Sequence, residues 1–405
     1  MDHDRWRARD ERVLWHGFTQ MSCYSDHLPI IVERGEGNYL YDVDGNRYLD
    51  AISSLWVNTL GHSVPELRQA AVDQLDRVAH STLLGNGNRT TVEFAERLAP
   101  ALPVPDPHIL FAGDGAAATE QALKIAFQYW HNQGVTDRTA YLALGGAYHG
   151  DTIGSLSIGG GGFGTTIFDP LRFPVERTPG YADPDWAAKA VAALEEHHEQ
   201  LAALMFEPLV QGAAGILVSR PDDVGRVVDA AQAHHVPVIC DEVATGFGRT
   251  GTLFASEQCG IQPDIVCVGK AITGGYLALA GTAVAPHIYE AFLGPDLSDK
   301  TLYHGHSYSG NALACAVALA HLDLIERGSI LQGVATTSAR LAERLVAIDR
   351  RPEVAEVRQC GLMVGIELDG PDDGRWGRRV CAAAVRRGVL LRPLGDVIVD
   401  RKSVV

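Results

Sequence analysis

The sequence predicts an α/β fold of three layers, in which helices cover both faces of a mostly parallel β-sheet. Short apolar runs rich in β-branched residues and bounded by Pro or Gly alternate with segments in which apolar residues recur at helical spacing. Two of these runs, at 236–240 and 264–268, are followed by charged residues, Asp241 after the first and Lys270 after the second. Runs of this kind are typical of parallel strands that are buried on both faces.

Asp241 and Lys270 are expected at the same edge of the predicted sheet. Ligands of open α/β sheets bind beyond the carboxyl ends of the strands, so both side chains are expected at the usual position of a ligand-binding site. A buried carboxylate and a buried ammonium each destabilise a fold unless a partner satisfies them. A structural ion pair between two strand ends is the simpler interpretation, and a ligand that needs both groups is the functional one.

Pyridoxal phosphate (PLP) is a cofactor that needs both groups. It attaches covalently to a lysine amine, and a carboxylate beside its pyridine nitrogen keeps that nitrogen protonated. The segments DEVATGFGRTG (241–251) and VGKAITGG (268–275), with the spacing between them, resemble the class III aminotransferases. Among these, the closest resemblance is to the biotin-pathway enzymes that aminate 7-keto-8-aminopelargonate. The resemblance implies a PLP-dependent transferase of fold type I, with Lys270 as the catalytic residue and Asp241 at the ring nitrogen.

Composition sets bounds on the class of protein. A chain of 405 residues with 46% hydrophobic residues has room for a large core and two domains. The formal net charge of −16 argues against a nucleic-acid partner. Neither a signal peptide nor an apolar run of about 18 residues is found, so we expect no membrane partner and a cytoplasmic location. The seven cysteines are scattered and lack C-x-x-C spacing, which indicates reduced thiols.

The N-terminal segment predicts a β-hairpin. Apolar positions alternate on both sides of the turn Asp44-Gly45-Asn46, where glycine supplies the positive φ of a tight turn. A pair of helices follows between residues 64 and 102. By resemblance, the N-terminal segment contributes Phe18 and Trp56 to the substrate pocket. The simpler interpretation of a lone aromatic residue is a place in the core.

Residues 108–130 predict a strand, a glycine turn and an alanine-rich helix. A helix start presents free backbone N–H groups and the positive end of the helix dipole, which together suit an anion. We therefore expect the cofactor phosphate at the amides of Gly115, Ala116 and Ala117. A tight turn also needs glycine for purely steric reasons, and the related enzymes usually have serine where Ala116 stands.

The motif YHGDT at 148–152 follows another predicted strand. By resemblance, Tyr148 stacks on the cofactor ring and borders the substrate, and such stacking contributes about 0.5–1.5 kcal/mol beyond area burial. No helix pattern follows the glycine run at 159–162, so a dinucleotide-binding loop is rejected. Gly269-Lys270 does not complete a P-loop, because Asp264 and Ala271 replace the required residues.

The predicted strand 201–206 ends at Glu207, again at the carboxyl edge of the sheet. By resemblance, Glu207 lies near the substrate and Gln211 near the ring hydroxyl of the cofactor. Val243 follows Asp241 by two residues and is expected on the same strand face, where it would pack under the ring opposite Tyr148.

The C-terminal third predicts a loop, a long helix and further strands and helices. By resemblance, Ser307 binds the cofactor phosphate of a neighbouring subunit, which makes the active site shared within a homodimer, and His306 borders the substrate. A metal site at His304 and His306 is not expected, because no Cys, Asp or Glu accompanies them at ligand spacing. Arg392 ends the predicted strand that begins at Val389, and it resembles the arginine that binds a substrate carboxylate through its bidentate guanidinium. A surface arginine is the alternative.

The large PLP-binding domain is expected at 61–300, and a smaller α/β domain combines 1–60 with 301–405. The expected reaction transfers an amino group from a small-molecule donor, through PLP, to the keto acceptor 7-keto-8-aminopelargonate. The product is 7,8-diaminopelargonate, an intermediate of biotin biosynthesis. Lysine is the preferred donor over S-adenosylmethionine, because Phe18 and the glycine run at 159–162 stand where users of the latter have a tyrosine and an acidic residue.

Two alternatives to this function remain open. A broad ω-aminotransferase for diamines, 4-aminobutyrate or ornithine would share every cofactor residue, and a catalytically silent PLP-fold protein would share the fold. Residues 400–405 (DRKSVV) resemble the translation of a sequencing adapter, so we expect that they are not natural and that the relatives continue with a further strand and helix. A naturally shorter protein with a polar tail is the alternative.

Overall fold

The computed structural model describes residues 2–160, 164–370 and 374–401. Within these ranges the α-helices are α1 (Asp2–Val13), α2 (Ser53–Trp56), α3 (Pro65–Leu75), α4 (Arg89–Leu98), α5 (Gly115–Asn132), α6 (Ile153–Ile158), α7 (Trp186–His197), α8 (Pro221–Ala233), α9 (Ala255–Gln258), α10 (Pro286–Glu290), α11 (Ala312–Arg327), α12 (Ile330–Asp349) and α13 (Trp376–Val385). The strands are β1 (Val32–Glu36), β2 (Tyr39–Asp42), β3 (Arg47–Asp50), β4 (His108–Ala112), β5 (Ala140–Leu144), β6 (Glu176–Thr178), β7 (Leu201–Phe206), β8 (Val210–Gln211), β9 (Leu217–Val218), β10 (Val238–Asp241), β11 (Ile265–Val268), β12 (Ala280–Val284), β13 (Val354–Cys360), β14 (Met363–Leu368), β15 (Val389–Leu390), β16 (Arg392–Leu394) and β17 (Val397–Arg401).

A seven-stranded sheet with the order β4-β12-β11-β10-β7-β5-β6 forms the centre of the fold. The pairs from β11 to β6 are parallel, whereas β12 pairs antiparallel with both β11 and β4. Every residue of β7, β10, β11 and β12 is buried, as continuous apolar runs require. The mostly parallel sheet predicted from the sequence is confirmed.

Helices cover both faces of this sheet. Successive residues of β7 alternate between two apolar cores, with Leu204 and Phe206 in one and Ala203 and Met205 in the other. The first core contains residues of α4, α7, α8 and α11, and the second contains residues of α5 and α10. The three-layer arrangement is therefore present, and the carboxyl ends of the parallel strands remain open at one edge.

Two smaller four-stranded sheets have the orders β1-β2-β3-β15 and β13-β14-β17-β16. The predicted hairpin is β2 and β3, and the Asp42 carboxylate accepts hydrogen bonds from the backbone N–H groups of Asp44 and Asn46 in its turn. The parallel pairing of β15 with β3 joins the N-terminal and C-terminal parts of the chain. The domain boundaries at 60/61 and 300/301 stay a prediction, and α11 packs in the same core as α4.

Two local expectations were wrong. Arg392 begins β16 instead of ending the preceding strand, because the chain leaves β15, which pairs with β3, and crosses to the other small sheet at Leu391. Val243 lies beyond β10, which ends at Asp241, so it does not share a strand face with that residue.

Several expectations concern the ends of the described ranges. Strand β17 includes Asp400 and Arg401 of the suspected foreign segment. Residues 402–405, and residues 161 and 162 of the glycine run, lie outside the described residues. Among the described helices, none has both the length and the apolar character of a membrane span.

Candidate active site

A cavity of about 670 Å³ opens at the carboxyl edge of the large sheet. The side chains and backbone that line it come from segments far apart in the sequence. From the predicted site residues it brings together Trp56, Gly115, Ala116, Tyr148, Glu207, Asp241, Val243 and Lys270.

The strand order explains why the three charged residues meet. Glu207 directly follows β7, Asp241 ends β10, and Lys270 follows β11 by two residues. Because β7, β10 and β11 are adjacent and parallel, their carboxyl ends lie side by side. The parallel strands predicted from the apolar runs thus bring these three side chains to one point of the sheet edge.

Lys270 begins a short 3-10 turn, Lys270–Thr273, and has a left-handed backbone with a φ of 45°. Residues other than glycine adopt this conformation only where the surrounding structure holds it. The Nζ atom lies 4.9 Å from the centre of the Trp56 ring, within the range of a cation–π interaction. The turn therefore directs the amine into the cavity beside an aromatic wall.

Asp241 is held by a buried histidine. The Nδ1 atom of His149 lies 2.7 Å from Asp241 Oδ2, and the backbone N–H of Val243 donates to Asp241 Oδ1 at 3.0 Å. The Nε2 atom of His149 is buried without a hydrogen-bond partner in the described part of the chain. A hydrogen on Nε2 would be an unsatisfied buried donor, so we assign the hydrogen to Nδ1, which donates it to Asp241. His149 was noted in the sequence only as part of a motif.

Tyr148 is fixed at both ends. Its hydroxyl donates to Asp151 Oδ2 at 2.8 Å, and its backbone N–H donates to Glu207 Oε2 at 3.2 Å. Burial, followed by the hydrogen bond to Asp151, raises the pKa of the Tyr148 phenol. The phenol therefore stays protonated at neutral pH, and Tyr148 and Val243 both line the cavity.

The predicted phosphate site needs one correction. Asp114 is the N-cap of α5, and its Oδ1 atom accepts the Ala117 N–H at 2.9 Å, so this amide is used for capping. The amides of Gly115 and Ala116 have no acceptor within the helix, as at any helix start, and these two residues line the cavity. A Cβ atom at Gly115 would lie 2.6 Å from a methyl carbon of Val243, so a larger residue here would require the Val243 side chain to move.

Glu207 is a buried carboxyl group with a raised pKa. It accepts hydrogen bonds from the backbone N–H groups of Tyr148 and Gly212, the latter at 3.0 Å. Burial raises its pKa from 4.5 to about 7, and the negative charge of Asp241 acts in the same direction. Burial is the largest cause, so the shift follows from the position of Glu207 at the end of a fully buried strand.

We expect Glu207 to make stability fall as the pH rises from about 4.5 to about 7. Over this range the unfolded chain has released a proton that the folded protein keeps, so the free energy of unfolding decreases, and it is constant above this range. The shift corresponds to roughly 3 kcal/mol. Urea unfolding of the cofactor-free protein and of Glu207→Gln between pH 5 and pH 8 measures the difference between the two profiles.

An exposed glutamate provides the matched control for this prediction. Glu176→Gln should give a profile parallel to that of the unaltered protein, because Glu176 is exposed. Parallel profiles for the unaltered protein and Glu207→Gln would show that the buried carboxyl does not retain its proton.

Six predicted site residues do not line this cavity, namely Phe18, Ala117, Gln211, His306, Ser307 and Arg392. Gln211 is buried, but its amide accepts the Tyr181 N–H and donates to the Gly145 carbonyl, so backbone groups already satisfy it. Phe18 is 56% exposed, and Ser307 is exposed as well. Arg392 is half-buried.

His306 also lies outside the lining. Its Nε2 atom is 4.0 Å from the position of a Cβ on Gly113, beside the start of α5. The substrate roles of His306, Phe18 and Arg392, and the cofactor roles of Gln211 and Ser307, stay predictions.

Tyr276 and Leu277 line the cavity but were not predicted. The Tyr276 hydroxyl accepts the Val64 N–H and lies 3.2 Å from the Gly61 carbonyl, which fixes the segment after the Lys270–Thr273 turn against the start of α3. Nothing in the local sequence indicates these contacts, because their partners lie more than 200 residues away.

The residues around the cavity fit PLP. The lining provides an amine, a carboxylate held by a histidine, an aromatic and an aliphatic side chain, and two helix-start amides, which correspond to the needs of this cofactor. No group of three His, Cys, Asp or Glu residues suited to a metal occurs in residues 2–160, 164–370 or 374–401.

Comparison with known proteins gives matches over nearly the whole chain. The family model described as aminotransferase class-III matches residues 21–402. The adenosylmethionine-8-amino-7-oxononanoate aminotransferase of Nitratidesulfovibrio vulgaris is 46% identical, over 98% of this chain and 77% of that protein. The protein of the same name from Anoxybacillus flavithermus is 42% identical, over 98% of this chain and 91% of the relative.

Solved structures agree with these matches. The crystal structure of adenosylmethionine-8-amino-7-oxononanoate aminotransferase from Methanocaldococcus jannaschii has a TM-score of 0.95 and 36% identity, with 99% of this chain and 94% of that chain covered. The omega transaminase from Pseudomonas jessenii, solved in complex with PMP, has a TM-score of 0.91 and 28% identity, with coverage of 98% and 93%.

Proposed function

The chain belongs to the class III aminotransferase family and is a PLP-dependent transaminase of fold type I, and from this premise we propose that it aminates 8-amino-7-oxononanoate. This compound is the 7-keto-8-aminopelargonate of the sequence prediction, and its amination gives 7,8-diaminopelargonate for biotin biosynthesis. The observation that carries the proposal is the nearly full-length similarity, at up to 46% identity, to relatives whose name specifies this acceptor.

Lys270 and Asp241 have different roles in this reaction. When bound, PLP supplies a ring that accepts the electron pair released at the reacting carbon of the donor. Lys270 holds the cofactor and moves the proton at that carbon as general acid and base. Asp241, oriented by the His149 N–H, holds the proton on the ring nitrogen and stabilises the charge that develops there.

The remaining contacts orient the cofactor and exclude water. Tyr148 and Val243 line the cavity and would pack against the cofactor ring, and the amides of Gly115 and Ala116 would bind its phosphate. Burial raises the pKa of Tyr148, and the positive charge of Arg392, a half-buried residue, acts in the opposite direction. Because a guanidinium can bind a carboxylate through two hydrogen bonds, Arg392 is proposed to bind the substrate carboxylate.

For the donor, we propose S-adenosylmethionine, because the names of the relatives specify it. The cavity lining contains Asp151 and the aromatic side chains of Trp56, Tyr148 and Tyr276, and such walls suit a cationic donor. Lysine is also cationic, and the preference for it, which rests on Phe18 and the glycine run, stays a prediction.

Single half-reactions test the proposal. The aminated enzyme should react with 8-amino-7-oxononanoate faster than with pyruvate, 2-oxoglutarate or succinate semialdehyde, by roughly 10–200-fold in second-order rate constant at a pocket that fits one acceptor. Stopped-flow absorbance of the cofactor measures each rate. A faster reaction with one of the other acceptors would instead support the broad ω-aminotransferase.

The donor is decided in the opposite half-reaction. Mixing the PLP form with S-adenosylmethionine, lysine, ornithine or 4-aminobutyrate gives four rates under identical conditions. S-adenosylmethionine should be the fastest, and a clear preference for lysine would restore the prediction made from Phe18.

We also propose a homodimer with a shared active site. Phe18 and Ser307 lie outside the cavity of their own chain, and Trp15, Tyr303 and Tyr308 are 89%, 67% and 67% exposed. Exposed aromatic surface of this kind is typical of a protein interface. A second copy would cover it and bring Ser307 toward the cofactor phosphate of its neighbour. The cytoplasmic location stays a prediction.

A further inference from the structure

A fully buried histidine lies behind the Lys270 turn. His321 is on α11 and has no exposed surface. Its Nε2 atom lies 2.7 Å from Thr59 Oγ1, and its Nδ1 atom lies 3.3 Å from the carbonyl oxygen of Ile272. The neighbouring buried residues on this helix, Leu322 and Ile325, belong to the apolar core. An imidazole in such surroundings is unfavourable unless its hydrogen bonds are made.

The two contacts define the direction of both hydrogen bonds. The Ile272 carbonyl can only accept, so Nδ1 carries the hydrogen, and Nε2 accepts from the Thr59 hydroxyl. Burial lowers the pKa of His321 to about 4, which keeps the ring neutral at physiological pH. Both hydrogen bonds of His321, to Thr59 and to Ile272, are therefore made at physiological pH.

One of the two hydrogen bonds of His321 is made to the turn that contains Lys270. Ile272 lies in the 3-10 turn Lys270–Thr273, and its N–H donates to the Gly269 carbonyl at 3.0 Å. Gly274 ends the turn with a φ of 64°, and a Cβ atom there would lie 3.2 Å from His321 Cδ2. The imidazole ring thus packs against the turn as well as bonding to it.

The other hydrogen bond of His321 is made to the segment that contains Trp56. Thr59 is fully buried three residues beyond Trp56. Residues 53–56 have φ values of 50°, 49°, 70° and 71°, so this turn is left-handed and unfavourable for L-residues without outside support. The Asp50 carboxylate supports its start by accepting the N–H and the hydroxyl of Ser54. The bond from Thr59 to His321 supports its end.

We infer that His321 is a positioning residue, which ties the Lys270 turn to the Trp56 segment and thereby fixes the amine relative to the indole ring. The two lie 4.9 Å apart, and His321 itself does not line the cavity. This role presupposes the proposed role of Lys270. Loss of His321 should disturb the orientation of the Lys270 amine. It should have less effect on binding of the cofactor phosphate, which depends on Gly115 and Ala116 at the start of α5.

Binding of PLP to the cofactor-free protein distinguishes an effect on the orientation of the Lys270 amine from an effect on phosphate binding. Stopped-flow absorbance resolves non-covalent binding from the later covalent attachment to Lys270. In His321→Leu, which removes both hydrogen bonds, attachment should slow by about 10-fold or more, since a displacement near 1 Å can reduce a rate by about 10²-fold. The dissociation constant of the non-covalent complex should change by less than about twofold, because its phosphate contacts are intact.

Two further variants test the hydrogen bonds themselves. His321→Gln should recover most of the attachment rate, because its amide can donate to Ile272 and accept from Thr59. Thr59→Val removes one bond with little change of shape, and its attachment rate should lie between those of His321→Leu and the unaltered protein. If His321→Leu does not fold, Thr59→Val decides the matter, and an unchanged attachment rate in it overturns the inference.

Ile325→Ala is the matched control, since Ile325 is buried on the same helix and has an apolar side chain that cannot make either bond. This variant should lose thermal stability and keep the attachment rate. Equal slowing in Ile325→Ala and His321→Leu would show a general loss of stability and overturn the inference. Attachment of PLP to a lysine other than Lys270 in the unaltered protein would instead contradict the proposed function.

Discussion

Replacing Lys270 by alanine should abolish multiple-turnover transamination and leave PLP bound without a covalent bond. The variant loses both the amine that holds the cofactor and the base that moves the proton at the donor carbon. Proton transfer by a positioned side chain alone contributes up to about 10⁴-fold, so the turnover number should fall by at least this factor. Steady-state rates with the best donor and equilibrium dialysis of PLP measure the two parts of this expectation.

Lys189→Ala is the control for this experiment. Lys189 is an exposed residue of α7 that pairs with Asp183, and it lies outside the cavity. Its loss should leave the turnover number unchanged. Repeated turnover by Lys270→Ala at a rate near that of the unaltered protein would remove Lys270 from the catalytic role.

Asp241→Asn should lower the turnover number by roughly 10²–10³-fold. The substitution keeps the shape of the side chain and removes the negative charge that holds a proton on the ring nitrogen. The amide oxygen can still accept the His149 N–H, and only the hydrogen bond from the Val243 N–H is lost, so we expect the protein to fold. Single-turnover rates with one donor measure the loss, and circular dichroism verifies the fold.

The control is an aspartate at the opposite end of the same sheet. Asp264 precedes β11 and accepts the Val238 N–H through Oδ2 at 2.8 Å, away from the cavity. Asp264→Asn should lower stability and leave the single-turnover rate unchanged. An equal fall in rate for both variants would mean that the charge of Asp241 has no specific role in the reaction.

The elements that depend on local pattern were predictable from the sequence. Apolar runs such as 236–240 and 264–268 are strands because β-branched residues and flanking Pro or Gly leave little alternative, and they pair in parallel as expected. The position of Asp241 and Lys270 at one edge followed from the general rule for ligands of parallel sheets.

Contacts between distant residues were not predictable. The bond between His149 and Asp241 joins residues 92 positions apart, and nothing near either residue specifies the other. The phosphate role predicted for the Ala117 N–H was also affected by a missed contact. Asp114 was not recognised as the N-cap of α5, and its carboxylate accepts this N–H. The position of Arg392 was missed because the chain changes sheets between β15 and β16.

The left-handed turn at 53–56 is a further case in which tertiary contacts decide the backbone. The local sequence SSLW contains no glycine or asparagine, the residues that usually signal positive φ. Asp50 accepts the Ser54 N–H within this turn, and His321 bonds to Thr59, three residues beyond Trp56, from 262 positions away in the sequence. A prediction from local propensity therefore cannot find it.

The central claim is that the cavity at the ends of β7, β10 and β11 holds PLP on Lys270. The chain has five lysines, so reduction of the PLP-loaded protein with borohydride, followed by peptide mass spectrometry, distinguishes them directly. We expect a single phosphopyridoxyl group, on the peptide that contains Lys270. A group found instead on one of the other lysines, which are Lys124, Lys189, Lys300 and Lys402, would contradict the claim.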